Sequence, residues 1–173
     1  MKRVVILFVS LFMIISFTSC EPIVVKKFGM DFFSQTEMIQ IALSIDLGDL
    51  TDKNIKDIHS HTDENGTELT IKYIDLSGAG DSFEKGIVNN ENWQQLPYNS
   101  KIQELLKASN AHEQYDFTNI KEGYYTISGV SSSQKEFDFD FNNFEKWYGF
   151  QIGIWDSNAE TLYYISITDT SKS

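Results

Sequence analysis

The spacing of apolar residues changes character along this chain. Residues 4–17 are almost uniformly apolar, the first two-thirds of the remaining chain carries apolar positions at helical spacing broken by one alternating segment, and the last third alternates with a period of two. A period near 3.6 lines up one stripe of a helix, whereas a period of two lines up one face of a strand. Ser34 and Glu37 have capping-box spacing ahead of Met38, Ile39, Ala42 and Leu43, which predicts a first helix ending near Ile45, although 39–45 also reads as a strand. Asp81 with Glu84 predicts a short helix to about Val88. Ser100 with Gln103 predicts another, with Ile102, Leu105 and Leu106 on its apolar face.

Asp63-Glu64-Asn65-Gly66 separates two extended segments, and Asn-Gly in that setting signals a hairpin because both residues tolerate positive φ. The second arm alternates, with Leu69, Ile71 and Tyr73 on one side and Thr70, Lys72 and Ile74 on the other. The first arm also reads as a short helix capped by Thr51 and Asp52, and the hairpin is the preferred reading. Residues 93–98 form a loop that places Trp93 and Leu96 in the core. Strands are predicted at 124–129, at Phe137, Phe139 and Phe141, at Phe150, Ile152 and Ile154, and at 162–168, with 156–160 closing the last hairpin. The sum is an α+β domain: an antiparallel sheet of about five or six strands with two or three helices packed on one face.

Composition narrows the setting. The formal net charge of −11 becomes −13 once Lys2 and Arg3 are set aside, and no basic stripe exists to neutralise phosphates, so nucleic acid is not an expected partner. Such a domain is also repelled by an anionic lipid surface, and only Lys26 and Lys27 could touch headgroups favourably. With 14% aromatic residues and two prolines, residues 34–173 are expected to form a single packed domain.

Met1-Lys2-Arg3, the apolar run 4–17 and Thr18-Ser19-Cys20 form a charged, then apolar, then small-residue order that resembles a bacterial lipoprotein signal, with Phe17 where that pattern prefers Leu. The run is shorter than the roughly 20 apolar residues of a spanning helix. The resemblance implies a signal peptide at 1–19, a lipidated Cys20 followed by a short tether to residue 33, and a location at the extracytoplasmic face of the cell membrane. Cys20 is the only cysteine, and a free thiol in an oxidising compartment is a liability, so lipidation is the expected fate of its sulfur.

Candidate chemistry concentrates at Asp57-Ile58-His59-Ser60-His61-Thr62-Asp63. On a regular strand Asp57, His59, His61 and Asp63 share one face, where two imidazoles flanked by carboxylates could hold a divalent metal and support hydrolysis. No other cofactor is expected. Glu136, Asp138 and Asp140 share a strand face, but their alternation with Phe is what a half-buried strand shows, and no Gly-x-Ser-x-Gly elbow occurs. Trp155 and Tyr164 alternate against neighbouring isoleucines and are the candidates for an exposed aromatic patch.

These segments in their order resemble a small uncharacterised family of membrane-anchored proteins from Gram-positive bacteria. The matching residues are Asp57, His59 and Gly66; Asn92, Trp93, Leu96 and Pro97; Leu105 and Leu106; Gly123, Tyr124 and Tyr125; and Ile154, Asp156, Thr161, Leu162, Tyr163 and Tyr164, within 41–168. The family's second His falls on Asp63, its glycines fall on Ser60 and His61, and its basic stretch after Gly-Tyr-Tyr falls on neutral 128–131. The expected role is a non-catalytic binding domain for an envelope protein or a small extracellular ligand. The alternatives are the metal site and an immunity protein against a secreted toxin.

Overall fold

The computed structural model describes residues 33–108, 111–131 and 147–169. Cys20, its tether and the expected strand at Phe137, Phe139 and Phe141 lie outside the described residues. The unit Ser34–Ser173 is compact. In chain order its elements are α1 (Gln35–Leu43), a 3-10 turn (Asp52–Asn54), β1 (Ile55–Thr62), β2 (Thr67–Asp75), α2 (Gly80–Val88), β3 (Gln94–Gln95), α3 (Ser100–Ala108), the single helical turn α4 (Ala111–Gln114), a second 3-10 turn (Phe117–Asn119), β4 (Gly123–Ser131), β5 (Trp147–Asp156) and β6 (Thr161–Asp169).

Local signals account for most boundaries. The Ser34 amide donates to Glu37 Oε2 at 2.7 Å and the Glu37 amide to Ser34 Oγ at 3.2 Å, a reciprocal cap that starts α1. For α3 the cap falls one residue before the expected Ser100, because Asn99 Oδ1 accepts the Ile102 amide at 2.9 Å. The hairpin forms where Asn65-Gly66 predicts it: Asp63 Oδ1 accepts the amides of Asn65 and Thr67 at 2.9 and 2.8 Å, and Gly66 takes φ 85°. Residues 51–58 satisfy both readings in part, with a 3-10 turn leading directly into β1.

All six strands are antiparallel, in the spatial order β1-β2-β6-β5-β4-β3. The C-terminal hairpin thus inserts between the β1–β2 hairpin and β4, with Thr67 opposite Asp169 and Asp75 opposite Thr161. Cross-strand pairs share a face. Ile71, Ile165, Ile152 and Ile127 therefore form one row across four strands, and Ile74, Leu162, Trp155 and Tyr124 form a row on the opposite face.

Both rows are covered. The isoleucine face packs beneath Ile102, Leu105 and Leu106 of α3 and beneath Phe117 and Ile120, while the opposite face packs beneath Ile39 and Leu43 of α1 and Phe83 and Ile87 of α2. The α+β architecture and the six-stranded sheet are as expected, but the helices are shared between two faces instead of gathered on one. The physical reason lies in β6, where Leu162, Tyr163, Tyr164 and Ile165 are consecutive and all buried, so neither side of that strand can be left to solvent.

Candidate functional site

The four metal candidates do not converge. Asp57 pairs with Lys72 and His59 pairs with Ile71, so a bulge at Ile58 adds one residue to β1. Beyond a bulge the alternation shifts by one. Asp57 therefore shares the α1 face with Lys72, to which it is ion-paired, whereas His59 and His61 follow Ile71 and Leu69 onto the α3 face. The two rings stay adjacent, with centroids 6.1 Å apart and planes tilted by 49°. Asp63 is occupied in the turn through the amides of Asn65 and Thr67. Among the described residues no group of three His, Cys, Asp or Glu is placed to hold a metal ion.

Trp155 and Tyr164 are not a surface patch. Trp155 is 1% exposed and Tyr164 9%, because α1 and α2 cover the face on which they lie. The Trp155 indole N–H donates to Glu84 Oε2 of α2 at 2.9 Å, and its ring lies 4.9 Å from that of Phe83. Burial pushes the Tyr164 hydroxyl above the ordinary tyrosine value. The expectation fails because alternation marks an outward face only when nothing covers it.

The concave feature that sequence reasoning missed lies beside these residues. The connection 44–50 leaves α1 through Ser44, which takes a left-handed φ of 53°, and lines one side of a cavity whose other side is α2. Between them opens a pocket of about 680 Å³. Leu47, Leu50, Leu76, Phe83 and Ile87 supply its apolar lining, and Asp46 and Asp49 its carboxylates. Neither wall is loose. The Leu47 amide donates to Gln40 Oε1 at 2.9 Å, the Asn90 side-chain amide donates to the Ser44 carbonyl at 2.8 Å, and the Trp93 indole donates to the Leu43 carbonyl at 3.3 Å.

At the far end of the connection, Asp52 Oδ1 accepts both the amide and the hydroxyl of Thr36, each at 2.9 Å, which ties the 3-10 turn to the first turn of α1. Those donors hold the Asp52 carboxyl below its ordinary value. On the α2 side, Glu160 Oε2 accepts the Gly78 amide at 2.8 Å and fixes the approach to the helix. A Cβ added at Gly86 would meet nothing within 4 Å, so the α2 wall is open there.

Comparison of the chain with protein-family models, with curated proteins and with solved structures returned no match. The geometry of the pocket and of the imidazole pair is therefore the basis for a functional reading.

Proposed function

We propose that this chain is a membrane-anchored extracytoplasmic binding module, held by lipid on Cys20 and taking its ligand in the pocket between 44–50 and α2. The observation that carries the binding reading is the pocket: an apolar floor, two carboxylates and walls braced by long-range hydrogen bonds. Concave, mostly apolar and largely preformed sites with a few polar groups are the usual form of small-ligand sites. The support for the anchor is the order of charged, apolar and small residues ending at Cys20. Its test is Cys20→Ser, which should abolish incorporation of labelled lipid and leave an uncleaved precursor. Normal processing of that variant would remove the anchor from the proposal.

The adjacency of His59 and His61 favours one other reading, a divalent-metal site built on two imidazoles. Zinc analysis of the purified protein separates the two. Stoichiometric metal that disappears in the His59→Ala, His61→Ala double variant would replace the binding reading with the metal one, and the binding reading expects none.

A further inference from the structure

The lining of the pocket is electrically one-sided. Of its fifteen residues two are aspartates and none is Lys, Arg or His. Of the other polar lining groups, the Asn90 side-chain amide donates to the Ser44 carbonyl and Asn54 Oδ1 accepts the Thr51 amide at 3.2 Å, while Asp46 itself accepts the Gly48 amide at 2.8 Å through Oδ1 alone. Asp46 and Asp49 are exposed at the surface, while Leu47, Phe83 and Ile87 beside them are buried. One segment thus presents a carboxylate, an apolar side chain and a second carboxylate in succession, 46, 47 and 49, against an apolar helix face.

We propose that the pocket takes a small amphipathic cation. Its apolar body lies on Leu47, Leu50, Phe83 and Ile87, and its protonated amine faces Asp46 and Asp49. The proposal rests on the binding reading above and gives it a ligand class. Three observations select that class. The volume of about 680 Å³ lies within the roughly 300–1,000 Å³ that small ligands occupy, so a compact molecule fits without a macromolecular surface. The floor rewards burial of apolar area, so a fully hydrated ion such as ammonium alone gains little there. The carboxylates, in a chain of charge −13 once Lys2 and Arg3 are set aside, repel an anion of the same shape and attract a cation.

The test uses three probes with one apolar chain and different charge: octylammonium, octanol and octanoate. Binding to the unlipidated mature chain, residues 20–173 carrying Cys20→Ser, is followed by calorimetry and by the amide resonances of Gly48 and Gly86. Octylammonium should bind at least tenfold more tightly than octanoate, with octanol between them, and the ratio should shrink as salt is raised. The Asp46→Asn, Asp49→Asn double variant should bring the ratio within about twofold while leaving octanol unchanged. Gly86→Leu, which fills open space and replaces a helical glycine, should abolish binding of all three without lowering the thermal midpoint.

Equal binding of octylammonium and octanoate would overturn the cationic class and leave the pocket as a binding site. Failure of all three probes to bind at millimolar concentration would overturn the pocket reading as well. An amidated Leu-Lys-Leu-Lys peptide that binds where octylammonium does not would replace the small cation with a basic polypeptide partner.

Discussion

The two faces of the sheet are built from similar residues and finished differently. On the α3 face three successive rows are apolar, those of Leu69, Ile71 and Tyr73, and tyrosine hydroxyls are paired beside them: the Tyr98 hydroxyl donates to the Phe117 carbonyl at 3.2 Å, Tyr125 to Gln94 Oε1 at 2.7 Å, and Tyr163 to the Tyr115 hydroxyl at 2.7 Å. On the α1–α2 face the sheet also carries a polar row, Thr70, Ser166, Gln151 and Ser128, and the segment that follows α1 and helix α2 leave a pocket between them. A phenol meets both needs of a sealed edge, since its ring buries area while its hydroxyl satisfies a polar group. The open face carries carboxylates and small residues, Asp46, Gly48, Asp49 and Gly86, at its pocket.

The largest test of this contrast is loss of a buried ring on each side. Trp155→Ala and Phe117→Ala should each lower unfolding free energy by about 3–5 kcal/mol, read from urea denaturation, since both side chains are almost fully buried. A loss under about 1 kcal/mol for either would show that its face lies outside the cooperative core. Next in size is Gly153→Ala on the α1 side. The new Cβ would lie 2.9 Å from Leu43 Cδ1 and 3.0 Å from the Trp93 ring, so overpacking should cost about 1–3 kcal/mol. A neutral result would mean that α1 is not held tightly against β5.

Tyr163→Phe on the sealed face should cost about 0.5–1.5 kcal/mol for the hydrogen bond to Tyr115. The same face predicts an alkaline weakness. Burial raises the hydroxyls of Tyr98 and Tyr163 above their ordinary value of 10.0, so above that pH the unfolded chain loses these protons while the folded chain keeps them. Stability that is full below pH 10.0 should therefore decline as the pH rises past it, and Tyr163→Phe should flatten the decline. A midpoint that holds constant through that range would rule this weakness out. The smallest effect has the opposite sign: Gly86→Ala, at the open wall, should stabilise by about 0.5–1 kcal/mol, because a helical glycine is replaced where nothing obstructs the methyl group. Destabilisation there would show that the pocket wall at α2 is closed.

Much of the fold was legible because its signals are local. The Ser34–Glu37 cap, the Asn65-Gly66 turn and the alternation at Phe150, Ile152 and Ile154 depend on residues within a few positions of one another. Trp93 and Leu96 are buried as expected, but the segment between them is not loop: Gln94 and Gln95 form β3, an edge strand too short for its pattern to announce it. The candidate site was far less legible. A bulge at Ile58 carries no turn residue to announce it, and it shifts His59 and His61 away from Asp57. The run of Leu162, Tyr163, Tyr164 and Ile165 did hold the signal for a sheet covered twice, since a strand with one wet face would interrupt it with polar residues.

Sequence alone determined the type of most elements, many of their boundaries and the acidic character, because each arises from short-range backbone preferences or from a simple sum of charges. Residues 39–45 and 51–58 stayed open between helix and strand, and 94–95 read as loop. Only tertiary structure decided which face each helix covers, where Asp57 points and whether Trp155 meets water. The pocket is the clearest case: it is lined from 44–54 and from 76–90, with β1 and β2 between them in the chain, and its shape exists only once the sheet brings those segments together.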